Sequence, residues 1–78
     1  MGNILVTGAA GQIGSELVPA LRAEYANDTV IAGWNKTPLP EDILETGPDV
    51  VLDVTDFNAL EKIVRDFKVD TIFHMSSI

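Results

Sequence analysis

Three glycines, Gly8, Gly11 and Gly14, follow the apolar residues Ile4, Leu5 and Val6 at intervals of three. A glycine at the first position lets a strand end in a tight turn with positive φ. A glycine at the second leaves room for a phosphate beside the backbone, and one at the third lets the helix pack closely. The N–H groups at the helix start then point at the anion. The spacing predicts a binding site for a diphosphate, and the alternative is a glycine-rich turn that binds nothing.

Other residue types that carry chemistry are sparse. The sequence has no cysteine and one histidine, His74, which excludes disulfides, thiolate chemistry and a histidine metal cluster. Ser76 and Ser77 have no base and orienting group beside them, so they are not predicted to be nucleophiles. We expect no metal site and no catalytic residue, and we favour a packing role for His74.

The elements around the glycines alternate between strand and helix. After a first strand over residues 4–6, residues 12–25 read as a helix whose apolar stripe consists of Ile13, Leu17, Ala20 and Leu21. Residues 29–32 form a β-branched second strand. Residues 33–48 form a connection in which residues 40–47 make a short helix that begins at a proline and ends at a glycine.

The second half repeats the pattern. Residues 49–53 are predicted to be a third strand, Thr55 to cap a third helix, and residues 71–74 to be a fourth strand. The apolar stripe predicted for the third helix is Phe57, Leu60, Ile63, Val64 and Phe67. This order predicts an α/β fold with four parallel strands in the order 3-2-1-4, which is a partial doubly wound (Rossmann) domain. The ligand crevice is expected where residues 7–14 face residues 74–77.

Composition narrows the function classes. The 78 residues carry a net charge of −7 and a hydrophobic fraction of 46%. That size allows one small domain, and the charge argues against nucleic acid and anionic membranes as partners. A dinucleotide is still compatible, because backbone N–H groups rather than lysines would hold its pyrophosphate. With no apolar run long enough to cross a bilayer and no targeting signal, we expect a soluble, cytoplasmic protein.

The glycine turn and its surroundings resemble a known family. Val6-Thr7-Gly8-Ala9-Ala10-Gly11-Gln12-Ile13-Gly14 is similar to the fingerprint of the extended short-chain dehydrogenases/reductases, the NAD-dependent epimerase/dehydratase family. Residues 11–22, 52–56 and 69–74 resemble the short-chain type of L-threonine 3-dehydrogenase. The resemblance covers nearly the whole chain but only the first quarter of such an enzyme. It implies residues 1–78 are the incomplete N-terminal part of an NAD-binding domain, in an enzyme that oxidises L-threonine to 2-amino-3-ketobutyrate.

The resemblance also implies cofactor contacts. Asp53 would accept a hydrogen bond from the adenine amino group, with Val54 against the ring, although an acid that merely ends a strand is the alternative for Asp53. The residues implied around the pyrophosphate are Gly8, Ala9, Ala10, Gly11, Gln12 and Ile13. The residues implied along the ribose and nicotinamide wall are His74, Met75, Ser76 and Ser77.

One departure from the family concerns the end of the second strand. The family places an Asp there that binds the ribose hydroxyls, whereas this chain has Trp34, Asn35 and Lys36. Without the acid, selection for NAD over NADP is weakened. Asn35 is expected to bond a ribose hydroxyl and Lys36 to attract a phosphate. Trp34 either stacks on adenine or covers the sheet.

A second departure concerns catalysis. The superfamily transfers hydride with a Tyr-x-x-x-Lys pair, but the only tyrosine, Tyr25, is followed four residues later by Thr29. We therefore expect no catalysis by this chain alone. The remaining interpretations are the start of a nucleotide-sugar epimerase, dehydratase or reductase, a non-catalytic nucleotide-binding module, and a structural piece without a ligand. An intact family member is expected to be a homodimer, and the isolated chain to self-associate through its fourth strand.

Overall fold

Seven elements alternate along the chain in the predicted order. The computed structural model describes residues 2–25 and 29–75. Within these ranges, no helix combines the length and the apolar character that crossing a bilayer requires. The elements are β1 Asn3–Thr7, α1 Gln12–Glu24, β2 Thr29–Trp34, α2 Glu41–Thr46, β3 Asp49–Val51, α3 Phe57–Asp66 and β4 Thr71–His74.

The strands form one sheet in the order β3-β2-β1-β4, and every pairing is parallel. This confirms the predicted 3-2-1-4 arrangement. Strand β1 lies between β2 and β4, so that Leu5 lies opposite Ile31 of β2 on one side and Ile72 of β4 on the other. Because all four strands run the same way, their carboxyl ends meet at a single edge of the sheet. The turns that follow β1, β2 and β3 are therefore brought together.

Each face of the sheet buries its own core. Ile4 and Val6 of β1 pack with α1 and α2 on one face, together with Val18 and Ile43, which are fully buried. Leu5 points to the other face, which α3 covers. Successive side chains of a strand point to opposite faces, and both faces are covered here, so Ile4, Leu5 and Val6 are all buried. The α3 face is the more open one, because no residue of α3 itself is fully buried.

Helix α1 faces the sheet with a different stripe from the one predicted. Its buried residues are Gly14, Val18 and Leu21, while Leu17 is half-buried. The predictions for Ile13, which is 67% exposed, and for the exposed Ala20 are wrong. The buried stripe is rotated because α1 approaches the turn after β1 through Gly14, which has no side chain to keep the two backbones apart. That rotation turns Ile13 outward.

The boundaries of β2 and β3 also differ from the prediction. Strand β2 continues through Gly33 and Trp34, because Val50 and Val51 lie opposite them and supply hydrogen-bond partners. Strand β3 ends at Val51 instead of residue 53. Helix α2 is confirmed between Pro40 at its N-cap and the glycine that follows it.

The start of α3 corrects two further predictions. The capping residue is Asp56, whose carboxylate accepts a hydrogen bond from the N–H of Ala59, and not Thr55. Phe57, the first residue of α3, was predicted to be in the core but is 76% exposed, because the packing of this helix on the second core begins at Ala59 and Leu60. Leu60 and Ile63 pack against the second core as predicted.

Arg22, in the last turn of α1, links this helix to β2, to α2 and to the residue that precedes β3. Its guanidinium donates to the carbonyl oxygens of Val30, Ile43 and Pro48 at 2.7–3.2 Å. It also donates to the hydroxyl of Thr46 at 3.1 Å. Burial lowers the pKa of Arg22 from its ordinary value, and the carboxylate of Asp49 acts in the opposite direction. Nothing in the sequence pattern indicated this role.

Candidate functional site

A cleft of about 560 Å³ opens at the carboxyl ends of β1, β2 and β3. Three loops and one residue after β4 form its walls. The lining residues are Gly8, Ala10, Gly11, Gln12, Ile13, Gly14, Trp34, Asn35, Lys36, Thr37, Leu52, Asp53, Val54, Thr55 and Met75. The parallel order of the strands creates this cleft, because it places the three turns side by side.

The glycine turn after β1 forms the floor of the cleft. Gly8 has a φ of 68°, which confirms that this position needs a residue tolerant of the left-handed region. The N–H of Gly11 donates to the carbonyl of Gly8 at 3.0 Å, and the N–H of Ala9 donates to the carbonyl of Gly33 at 2.9 Å. Gly14 lies against the backbone of Gly8, where a Cβ has no room. The turn is thus fixed by its own backbone and leaves the cleft open.

Helix α1 begins at this floor without a side-chain cap. Gly11 is its N-cap in an extended conformation, and it has no side chain to accept from the first turn. Gln12, Ile13 and Gly14 make up that turn, and all three line the cleft. The first turn contains no acidic residue, so the positive end of the helix dipole is not neutralised there. An anion in the cleft would meet this end of the helix.

Ala9 behaves differently from the rest of the turn. Its side chain is fully buried in the core formed with α1 and α2, and its N–H is used by the carbonyl of Gly33. Ala9 therefore does not line the cleft, in contrast to the other five residues implied around a pyrophosphate. Its place in the fold is to anchor the turn to β2.

The end of β2 contributes a tethered indole and two exposed polar residues. The Nε1–H of Trp34 donates to Oδ2 of Asp49 at 2.8 Å across the β2–β3 pair. The half-buried indole of Trp34 both packs on the core and lines the cleft. Asn35 and Lys36 follow in an exposed loop on the same wall. All three residues singled out at this position are therefore brought to the cleft.

The loop after β3 holds an organised carboxylate. Oδ1 of Asp53 accepts from the Thr55 hydroxyl at 2.6 Å and from the Thr55 backbone N–H at 2.9 Å. These two bonds, with a smaller contribution from the positive charge of Lys36, hold the pKa of Asp53 below its ordinary value. Among residues 2–25 and 29–75, Oδ2 of Asp53 has no hydrogen-bond partner. Val54 lines the cleft and packs on the second core.

The fourth wall comes from the end of β4. Nδ1 of His74 lies 3.0 Å from the hydroxyl of buried Thr7, and the N–H of Met75 donates to the same hydroxyl at 3.2 Å. Met75 lines the cleft, whereas exposed His74 does not. The predicted packing of His74 is replaced by this bond to Thr7. Ser76 and Ser77 lie outside the described residues.

Several lining residues were not predicted. Thr37, Leu52 and Thr55 each adjoin a predicted site residue in sequence. The Asp53-Val54-Thr55 order carries a readable signal, since an Asp often accepts from the backbone two residues on. Tyr25 lies at the far end of α1, about 20 Å from the cleft by helix rise. In the part of the chain that the structure describes, no group of three His, Cys, Asp or Glu residues is placed to hold a metal ion.

Comparison with known proteins gives this geometry a family. The model of the NAD dependent epimerase/dehydratase family matches residues 4–78. The chain belongs to this family. The match spans both the glycine turn and the strand that ends at His74, so the matched residues include all the residues that line the cleft. The resemblance noted at the glycine fingerprint is confirmed at the level of the family.

The proteins to which this chain is similar are of several kinds. An uncharacterized epimerase/dehydratase from Staphylococcus saprophyticus is 44% identical over all 78 residues. The structure of L-threonine dehydrogenase from Clostridium difficile superposes with a TM-score of 0.87 and 45% identity over the whole chain. UDP-glucose 4-epimerase from Thermotoga maritima, solved with UDP-glucose, superposes with a TM-score of 0.79 and 29% identity over 96% of the chain.

The chain covers only a part of each of these proteins. It spans 24% of the length of the staphylococcal relative, of the threonine dehydrogenase and of the epimerase. The matched part is the segment that contains the glycine turn and the first four strands. The similarity therefore concerns the family's NAD-binding region, and the type of enzyme within the family is a separate question.

Proposed function

We propose that this chain is the dinucleotide-binding N-terminal portion of an L-threonine 3-dehydrogenase-like oxidoreductase, with NAD or NADP as the cofactor. The observation that carries the proposal is the uncapped first turn of α1, which opens onto the cleft between Gly8 and Gly14. Backbone N–H groups in this arrangement are suited to a diphosphate, because they supply donors and a favourable dipole without a lysine. The cleft also has room and polar groups on both sides of that turn.

The described residues fit a dinucleotide along the cleft. The N–H groups of Gln12 and Ile13 would hold the pyrophosphate. Oδ2 of Asp53 has no hydrogen-bond partner among the described residues and is an acceptor for the adenine amino group, and Val54 offers an apolar surface for the ring. Ala10 and Gly11 shape the same floor, and the nicotinamide half would extend toward Met75.

The bound nicotinamide would supply a hydride acceptor, and this chain's contribution is to bind and orient it. His74 would act indirectly, because its bond to Thr7 fixes the end of β4 beside the cleft. Substrate binding and proton transfer would fall to residues other than these 78. Tyr25 is not placed to take part, since it lies at the opposite end of α1 from the cleft.

A second candidate is the equivalent portion of a nucleotide-sugar epimerase or dehydratase. The similarity to the Thermotoga maritima epimerase favours it, because the glycine turn serves both kinds of enzyme. The higher identity to the Clostridium difficile threonine dehydrogenase, 45% against 29%, makes the dehydrogenase the leading candidate. A module that binds a nucleotide without catalysis is the third interpretation.

Two experiments test the proposal. In the first, calorimetric titration of the 78-residue chain with NAD is expected to give saturable, one-to-one binding. Heat that does not saturate would remove the dinucleotide assignment. In the second, residues 1–78 replace the matching segment of the Clostridium difficile threonine dehydrogenase and, separately, of the Thermotoga maritima epimerase.

The chimaeras separate the two enzyme types. We expect the dehydrogenase chimaera to retain NAD-dependent oxidation of L-threonine and the epimerase chimaera to be impaired. The reason is that residues 1–78 should pack correctly only against the remainder of an enzyme of their own type. The reverse pattern would favour the epimerase interpretation. Circular dichroism of both chimaeras checks that a loss of activity is not a loss of folding.

A further inference from the structure

The wall that follows β2 has a distinctive charge. Residues 34–37 are Trp, Asn, Lys and Thr, and all four line the cleft. No acidic residue occurs among them, and Lys36 is exposed within this wall. In dinucleotide-binding folds an acid near this point bonds the ribose hydroxyls and selects NAD, whereas a nearby cation accommodates the 2′-phosphate of NADP. This chain has the cation and lacks the acid.

The neighbouring carboxylates do not replace the missing acid. Asp49 is not part of the cleft lining, and its Oδ2 accepts the Nε1–H of Trp34. Among the cleft-lining residues that the structure describes, Asp53 is the one carboxylate, and it belongs to the loop after β3. Its Oδ1 is engaged by both donors of Thr55. The wall after β2 therefore presents no negative charge of its own to a phosphate.

We infer that the adenosine end of this cleft accepts a 2′-phosphate, that Lys36 is the residue that pairs with it, and that the chain binds NADP at least as tightly as NAD. This inference rests on the proposed function, since it concerns the same cleft. The inference extends that function by assigning the choice between NAD and NADP to Lys36.

The electrostatics of the two loops support the assignment. The positive charge of Lys36 contributes to lowering the pKa of Asp53, after the two larger contributions from Thr55, so the charge acts within the cleft. A phosphomonoester carries about −1.5 to −2 charges at neutral pH, which a single nearby ammonium attracts. The net charge of −7 opposes any anion, but salt at physiological strength screens charges more than about 8 Å away.

The test compares NAD and NADP on four forms of the chain. Wild type, Lys36→Gln, Asn35→Asp and the control Lys62→Gln are each titrated with both nucleotides by calorimetry. Lys62 is an exposed lysine on α3 outside the cleft lining, so its substitution removes the same charge at a remote place. Asn35→Asp introduces an acid of the same shape into the exposed loop, where it does not disturb the core.

We expect wild type and Lys62→Gln to bind NADP at least as tightly as NAD. Lys36→Gln is expected to weaken NADP binding by about two- to fivefold and to weaken NAD binding less, as loss of one charge-assisted contact at a surface site predicts. Asn35→Asp is expected to weaken NADP binding and to preserve or strengthen NAD binding.

Three outcomes would contradict the account. If wild type binds NAD and excludes NADP, the inference fails while the proposed function stands. If Lys36→Gln weakens both nucleotides equally, the lysine acts as a general attractor and the assignment of specificity is overturned. If neither nucleotide binds with saturation, the proposed function itself fails, and the inference fails with it.

Discussion

A Cβ atom built on Gly14 would lie 2.2 Å from the carbonyl oxygen of Gly8 and 2.9 Å from the Cα of Ala9. These are backbone atoms that have no freedom to move aside, because Gly8 already stands at a φ of 68° and the N–H of Ala9 is bonded to Gly33. The close approach of α1 to the turn after β1 thus depends on the bare backbone at Gly14. That approach aims the first turn of the helix at the cleft.

The first prediction follows from this contact. Gly14→Ala is expected to lower the free energy of unfolding by about 1–3 kcal/mol, the range for forcing a methyl group into a packed site. Urea denaturation followed by circular dichroism measures the change. The matched control is Gly11→Ala, whose Cβ would lie 3.2 Å from the same carbonyl oxygen and needs only a small adjustment. Equal stability of wild type and Gly14→Ala would show that the contact does not constrain the helix.

The second prediction concerns ligand binding by the control variant. Gly11→Ala keeps the fold but adds a methyl group at the N-cap, beside the proposed pyrophosphate. We expect its dissociation constant for NAD to rise by about tenfold or more, which corresponds to about 1.4 kcal/mol. Calorimetry of wild type and variant under one set of conditions measures this. Unchanged affinity would place the nucleotide away from the glycine turn.

The third prediction concerns Arg22. Arg22→Gln removes donors from the carbonyls of Val30, Ile43 and Pro48, and the unfolding free energy is expected to fall by about 1–3 kcal/mol. Arg65→Gln is the control, because the guanidinium of Arg65 pairs with Glu61 alone among the described residues, on the exposed face of α3. An exposed pair of this kind contributes at most about 0.5 kcal/mol. Similar losses in both variants would refute the role assigned to Arg22.

The fourth prediction concerns pH. Since the hydrogen bonds from Thr55 lower the pKa of Asp53 below 3.8 in the folded chain, the unfolded chain takes up the proton first on acidification. The resulting stabilisation is fully present above pH 3.8 and is lost as the pH falls through the lowered folded value. Thr55→Val is expected to raise the pKa of Asp53, whereas Thr55→Ser retains the hydroxyl and keeps it low. NMR titration of the Asp53 carboxyl measures its pKa in wild type and in both variants. If the pKa of Asp53 in Thr55→Val equals the wild-type value, the Thr55 hydroxyl is not what lowers it.

The fifth prediction concerns the outer edge of β4. This strand pairs only with β1 among the strands described, and Ile72 at its centre is 46% exposed. We expect the chain to self-associate, and Ile72→Lys to shift it toward the monomer, since a lysine on an edge strand opposes strand pairing. Leu44→Lys, on α2 with 45% exposure, is the matched control. A single monomer peak for wild type in sedimentation velocity at high concentration would refute this prediction.

The sequence predicted the topology because its signals are local. The apolar runs, the proline and glycine around α2 and the strand–helix alternation led to the confirmed sheet order β3-β2-β1-β4. The rotation of α1 was not accessible in this way. Stripes through Ile13, Leu17 and Leu21 and through Gly14, Val18 and Leu21 both fit a helical period. The burial of Gly14 comes from backbone contact rather than from hydrophobicity.

The site shows the same division. The glycine turn was found from residue types and spacing, whereas Trp34 to Lys36 and Asp53 to Val54 came from the family resemblance, and all of them reach one cleft. Thr55 was predicted to cap α3 but organises Asp53 instead, since Asp56 takes the cap. Choosing between two adjacent capping residues depends on where the preceding strand ends. Here β3 ends two residues earlier than its apolar pattern predicted.

The central claim is that the exposed N–H groups at the start of α1 bind the diphosphate of a nicotinamide dinucleotide. Amide chemical shifts of the ¹⁵N-labelled chain, followed during titration with NAD, test it most directly. The account predicts saturable shifts that are largest at Gly11, Gln12, Ile13 and Gly14, with smaller shifts at the loops after β2 and β3. Saturable shifts that leave these four amides unmoved, or no saturable shifts at all, would contradict it.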